Sequence, residues 1–187
     1  REVTTKFEVL NEEFSLMNNR NPVESIKTRI KAPQSIYEKT KRKGYEFSVD
    51  SIRKNIFDVA GVRIICSFPS DIFKLAEMLI RQDDIKVVAI KDYISNPKPN
   101  GYRSYHLIVE IPIFLAERTE HMMVEVQFRT IAMDFWASLE HKLKYKQNIN
   151  NAERIAADLK DCADRISALD VQMQSIREEI DGEKNDV

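Results

Sequence analysis

The 187-residue chain has four glycines, two cysteines and one tryptophan, and each scarcity excludes something. With glycine only at Gly44, Gly61, Gly101 and Gly182 there is no P-loop, so phosphates must be held by side chains and not by a glycine-rich backbone cradle. Cys66 sits in an apolar run and Cys162 on a helix-like stripe, far apart and without metal-ligand spacing. Reduced core thiols are expected, neither a disulfide nor a zinc site. No apolar run approaches the roughly 20 residues of a membrane span, and the amino terminus lacks a charged-then-apolar signal pattern, so a cytoplasmic protein without a membrane partner is expected. Internal repeats and low-complexity linkers are absent. The first residue is Arg1, not methionine, and native terminal residues are expected to be missing.

What is present is a chain with 43% hydrophobic residues, enough to bury a core within one domain carrying helical additions. Net charge is −1, but it is unevenly spread. Arg20 to Arg63 holds eleven Lys/Arg against five Asp/Glu, whereas Asn150 to Val187 holds five against ten. A basic core half and an acidic tail imply local recognition of phosphate, not a coat for nucleic acid.

Val3, Phe7, Leu10, Phe14 and Met17 recur at intervals of four and three, which predicts a helix ended by Asn21-Pro22. Ile155, Leu159, Cys162, Ile166, Leu169, Met173, Ile176 and Ile180 repeat the pattern in the tail as a heptad-like seam. Between them, Ser25–Lys31, Val59–Phe68, Ile85–Tyr93, Tyr102–Leu115 and Met122–Arg129 read as strands, and Pro112 predicts a strand that ends or bulges near an edge. Pro33–Lys43, Ser48–Ile56, Ser70–Arg81 and Ile131–Lys146 read as helices. The fold class is therefore α/β (α+β): a mixed sheet flanked by helices, one domain over 1–187, with a core at about 21–147 and terminal helices at 1–19 and 150–181.

Lys91, Lys98 and Arg103 surround a Gly101-Tyr102 turn after two prolines and supply phosphate-seeking charge beside an exposed aromatic face. Strand alternation puts Glu125, Gln127 and Arg129 on one face and Val124, Val126 and Phe128 on the other. A solvated outer face explains that polar set as well as a site does. Asp58 precedes the apolar run at a helix-to-strand entry, the place of a turn residue or of a carboxylate aimed into a cleft. Arg29 and Lys31 share strand parity, and Ser35, Lys39 and Arg42 follow at helical spacing; they form either a solvated face or a convergent polyphosphate site. On the helix after Arg129, Asp134, Ser138, His141 and Tyr145 fall on a polar face, with Ala132, Phe135, Trp136, Leu139 and Leu143 on the apolar one.

Six ordered blocks carry a resemblance: Thr28-Arg-Ile-Lys31, Ser35 with Lys39, Phe57-Asp-Val-Ala-Gly-Val-Arg63, Gly101-Tyr-Arg-Ser-Tyr-His106, Glu125-Val-Gln-Phe-Arg-Thr130 and Met133-Asp-Phe-Trp-Ala-Ser-Leu-Glu-His141. From about Asn21 to Tyr145 the chain resembles the synthetase domain of the RelA/SpoT homologues, and in size the small alarmone synthetases. The resemblance implies a nucleotidyltransferase-like core that moves the β,γ-diphosphate of ATP to the 3′-hydroxyl of GDP or GTP, with Mg²⁺ as cofactor. It implies Asp58 and Glu125 as metal-binding and catalytic carboxylates, and Arg29, Lys31, Ser35, Lys39, Arg42 and Arg63 around ATP. Lys91, Lys98, Tyr102, His106, Gln127 and Asp134 would meet GDP or GTP, Tyr102 stacking on guanine. Asp134 departs from the asparagine of some relatives. His106, His121 and His141 are followed by Leu107, Met122 and Lys142, so the His-Asp signatures of the family's hydrolase region are missing and synthesis without hydrolysis is expected. The chain also looks too short for a regulatory region.

The family's small members form homotetramers, which implies oligomer contacts for the terminal helices. Some bind product through an aromatic before the Arg-x-Lys strand; Ser25 stands here, so strong product activation is not expected. Two other readings remain: a non-catalytic basic nucleic-acid-binding module, which would not need Asp58 or Glu125, and a nucleotidyltransferase-like enzyme with another acceptor; regulation by RNA is left open by the sequence.

Overall fold

The computed structural model describes residues 1–144 and 151–185. Helix α1 (Glu2–Asn18) ends at Asn19 in the left-handed region, and the chain enters strand β1 (Val23–Ile30). Helix α2 (Pro33–Lys43) has proline in its first turn and left-handed Gly44 behind its last, a start and stop written in local residue types. Helix α3 (Val49–Asn55) is capped by Ser48, whose hydroxyl oxygen accepts the Ser51 N–H at 3.2 Å. There follow β2 (Ala60–Cys66), α4 (Pro69–Ile80), β3 (Lys86–Asp92), β4 (Tyr105–Phe114), β5 (Thr119–Thr130), α5 (Ile131–Lys144) and α6 (Ala152–Asn185).

The strands form one mixed sheet in the order β1-β2-β5-β4-β3, in which only β2 and β5 run parallel. Val62, Ile64, Leu107, Val109, Val126 and Phe128 point to one face, where Phe7 and Leu10 of α1 and Ile72, Leu75 and Leu79 of α4 bury them. That face is the core. The period-two polar residues between them are left on the other face, which holds the candidate site. Arg20 and the buried Asp71 pair through two hydrogen bonds, and Arg20 also lies over the rings of Phe14 and Phe68, tying the end of α1 to the start of α4.

Four expectations change. Pro112 does not end its strand: β4 continues to Phe114, because β3 pairs no further than Glu110 and the missing N–H of Pro112 faces a free edge. Strand β4 begins at Tyr105, three residues later than expected, since Tyr102 pairs with the preceding loop through Lys98 N–H at 3.1 Å. Met17 is exposed, and so is Cys162, which is therefore no core thiol; Cys66 is buried. Among the described side chains of α5 only Met133 and Trp136 are buried, whereas Ile131, Phe135, Leu139 and Leu143 form an exposed apolar stripe. Tyr145 and Lys146 lie outside the described residues.

Helix α6 keeps the first half of its seam partly inward, Ile155, Leu159 and Ile166 being half-buried, and turns the second half out. Leu169, Met173, Ile176 and Ile180 of its apolar seam are exposed, and the side against the core carries Ala163, Asp170, Gln174 and Arg177. Among the described residues no helix is long and apolar enough to cross a membrane.

Candidate active site

The site is built by register. Lys27, Arg63, Gln127, His106 and Lys91 pair in one row across all five strands, and Arg29, Gly61, Glu125 and Ile108 form the next. Paired residues share a face, so five strands converge a band of cations on one carboxylate. A pocket of about 240 Å³ lies within this band, lined by Lys27, Arg29, Gly61, Arg63, Glu125 and Gln127. It is smaller than the roughly 300–1,000 Å³ of a complete small-molecule site, so it fits part of a nucleotide while the remainder lies along the open face. A larger groove of about 700 Å³ lies beside the start of α1, but its Lys6 and Asp84 satisfy each other at 2.7 Å and none of its charges is buried. Its size does not make it the site.

Three carboxylates of this face are largely hidden, Asp58, Glu125 and Asp134, and the first two stand where the pocket and α2 meet. Lys31 donates to one oxygen of Asp58 at 2.7 Å, and Lys39 of α2 pairs with the other at 2.8 Å. Burial alone would raise the Asp58 pKa, but the two lysines outweigh it and hold the carboxyl below its usual value. Glu125 accepts from Gln127 Nε2 at 2.9 Å and stands 3.5 Å from His106 Nδ1. There too burial opposes ionisation, and the contact with His106 followed by that with Gln127 overcomes it, while the nearby Asp58 charge pushes back. Both groups are poised as carboxylates at neutral pH, and each lies within the other's field.

Ser35 and Arg42 share the α2 face of Lys39 by helical spacing and stay exposed. Arg29 packs along Gly61, its Cγ 3.7 Å from where a Cβ would stand. Arg63 reaches Asp134 and Gln127, both at 3.5 Å, and keeps a buried Nε without a partner. Burial, then the neighbouring Arg129 charge, presses its pKa below the usual value, with Asp134 acting against them. A bound polyphosphate would supply a further anion.

At the other end, Lys98 lies over the rings of Tyr93 and Tyr102 at 4.7 and 4.8 Å. The Tyr102 hydroxyl meets His106 Nε2 at 3.0 Å and accepts from Arg129 at 2.9 Å, and Arg129 donates to Asp134 at 2.9 Å. A hydrogen-bonded chain thus runs from Asp134 through Arg129 and Tyr102 to His106, whose other ring nitrogen faces Glu125 at 3.5 Å. Arg129 was not among the expected site residues, although its parity with Glu125 and Gln127 carried the signal; Lys27 was missed likewise. Lys91 is exposed at the row's outer end. Asp134 is engaged by Arg129, Arg63 and Lys27, which makes it a carboxylate anchor of the arginine cluster. Arg103 does not face the site: it turns away to α6, and its expected phosphate role falls. Ser138 and His141 are exposed, and no group of three His, Cys, Asp or Glu among the described residues is arranged to hold a metal.

A mixed sheet whose open face gathers two ionised carboxylates inside a ring of guanidinium and ammonium groups defines a polyphosphate-handling α+β protein. The chain belongs to the RelA/SpoT family, for the model of the region found in RelA / SpoT proteins matches residues 28–150. It is 47% identical over 177 residues to the GTP pyrophosphokinase YwaC of Bacillus subtilis, covering 95% of this chain and 84% of that protein. The fold matches the crystal structure of small alarmone synthetase 2 from Bacillus subtilis with a TM-score of 0.84 at 46% identity, covering 95% of this chain and 91% of that one. It matches equally, at 0.84 and 37% identity over 96% and 91% of the two chains, small alarmone synthetase 1 from Bacillus subtilis bound to its product pppGpp.

Proposed function

We infer that this chain is a GTP pyrophosphokinase of the alarmone-synthesising kind, one domain that moves the β,γ-diphosphate of ATP to the 3′-hydroxyl of GDP or GTP. The observation that carries the reading is the pair of ionised carboxylates, Asp58 and Glu125, set among Lys31, Lys39, Arg29 and Arg63. A nucleic-acid module would have no use for two costly half-buried carboxylates there. In the transfer, the acceptor 3′-oxygen bonds to the β-phosphorus of ATP, the bond from that phosphorus to the α,β-bridging oxygen breaks, and AMP leaves with the bridging oxygen. The hydroxyl proton passes to Glu125.

Arg29, Lys31, Ser35, Lys39, Arg42 and Arg63 receive ATP, whose phosphates replace Asp58 as partners of the two lysines. Adenine lies against the planar Arg29 and Arg63 groups. Tyr102 stacks on guanine, with Lys91, Lys98, His106 and Gln127 around the acceptor and Asp134 holding the arginine cluster. Mg²⁺ fits this donor set: it takes one or two carboxylates with substrate phosphates, and the Asp58 carboxylate is freed for an ion once the ATP phosphates draw Lys31 and Lys39 away from it. Asp58 and Glu125 would hold the ion, which when bound supplies neutralisation of charge on the transferred group. Incubating the chain with ATP, Mg²⁺ and GDP or GTP and weighing the products tests the reading; AMP with no 3′-diphosphorylated guanosine nucleotide overturns it.

Tyr102→Ala should raise KM for the guanosine nucleotide about ten- to hundredfold, the worth of one stacked base, and leave KM for ATP near wild type. Equal losses for both nucleotides in steady-state kinetics would mean collapse of the loop instead.

The reading extends to a homotetramer. Helix α1 spends Val3, Phe7, Leu10 and Phe14 on its own core, so the contact falls to the exposed α6 seam and the α5 stripe. Light scattering should give four times the 21.8 kDa of the chain at micromolar concentration. Leu169→Glu with Ile176→Glu should dissociate it; a wild-type monomer sinks the idea.

A further inference from the structure

Loop 93–104 between β3 and β4 carries Tyr102 and is touched from behind by α6. The approach is close: a Cβ on Gly101 would stand 2.5 Å from Cβ of Ala163, and Gly101 has φ +88°, so both space and backbone require glycine. The next residue but one, Arg103, is mostly buried and spans the junction. Its guanidinium donates to Gly101 O at 3.2 Å within the loop, to Ala163 O at 3.4 Å and to Asp164 Oδ1 at 3.1 Å on the helix. Lys160, one turn earlier, holds the other Asp164 oxygen at 2.7 Å. Helix α6 is itself fixed nearby, for Trp136 Nε1 donates to Leu159 O at 2.8 Å and Thr130 donates to the buried Asp170 at 2.6 Å.

We propose that Arg103, Ala163 and Asp164 form a latch through which α6 sets the position of Tyr102, making Arg103 and Asp164 positioning residues for the acceptor nucleotide. The inference rests on the acceptor role of Tyr102 given above. A loop of this length has its own conformational entropy, and ordering it before the ligand arrives removes that cost from binding. The latch touches neither the carboxylates nor the ATP side, so its loss weakens acceptor binding and leaves the chemical step alone. Tyr102 keeps its bonds to Arg129 and His106, so the loss is partial.

The test varies ATP and GDP in turn for wild type, Arg103→Ala, Asp164→Ala and Asp164→Glu, with emission of Trp136 recorded throughout. Arg103→Ala should raise KM for GDP about tenfold, the scale of a charge-assisted hydrogen bond, with KM for ATP, kcat and emission unchanged. Asp164→Ala should act in the same direction and less, because its carboxylate is half-exposed, and Asp164→Glu should restore the wild-type value. An unchanged KM for GDP in Arg103→Ala overturns the latch. So does an equal rise for both nucleotides with shifted Trp136 emission, which would make α6 a general support. Absence of transfer by wild type would count against the function alone, and the GDP affinities of the same variants by calorimetry would still decide the latch.

Discussion

Glu125→Gln should lower kcat by about 10³, within the 10²–10⁴ contributed by a positioned general base, while thermal unfolding stays near wild type. The substitution keeps volume and the hydrogen-bonding plane, and it leaves the Val124, Val126 and Phe128 face of β5 untouched. What it removes is the charge that His106 and Gln127 stabilise against burial. The pH dependence follows in sign: because the folded pKa of Glu125 lies below its ordinary value, the base stays ionised as pH falls through the usual carboxylate range. The acid limb of kcat/KM in the wild type should therefore lie below that range, and the glutamine variant should keep only the part of it that Asp58 contributes. Near-normal turnover by a folded Glu125→Gln removes the residue from the mechanism.

Much of this was legible because the signals were local. Proline in the first turn and Gly44 after Lys43 bound α2 without reference to any other element, and alternation through Val124 to Arg129 separated the core face from the polar one before a partner strand was known. What escaped depended on residues distant in sequence. Heptad spacing in the tail identifies a helix but not which side meets its own core, and the side that does so is held by Asp170 to Thr130 and Gln174 to Ser70, contacts between polar groups that periodicity does not weigh. Arg103 looked like a phosphate ligand because its neighbours are Lys98 and Tyr102; its direction is decided by Asp164, sixty-one positions away. Arg129 was legible in its parity with Glu125 and Gln127, but its bond to Tyr102, twenty-seven positions back, was not.

Asp58→Asn separates binding from chemistry on the ATP side. In the free protein Asp58 neutralises Lys31 and Lys39 at 2.7 and 2.8 Å, so its carboxylate competes with the ATP phosphates for the same two ammonium groups. Asparagine ends that competition and relieves like-charge repulsion toward the polyphosphate, so ATP affinity measured without Mg²⁺ should rise or stay level. Turnover should nevertheless fall by about 10²–10³, comparable to the loss of one preorganised electrostatic group, because the amide is a poor ligand for a hard cation. Raising Mg²⁺ should recover part of it. The Asp58 carboxyl is held below its usual pKa by the two lysines against burial, so its contribution to stability is present above the unfolded pKa and is lost as pH falls through the folded one. Asparagine should accordingly flatten the acid side of the stability profile as well as the metal dependence. Weaker ATP binding without Mg²⁺, or turnover with unaltered Mg²⁺ dependence, would show that Asp58 serves to hold Lys31 and Lys39 in place and not to bind the ion.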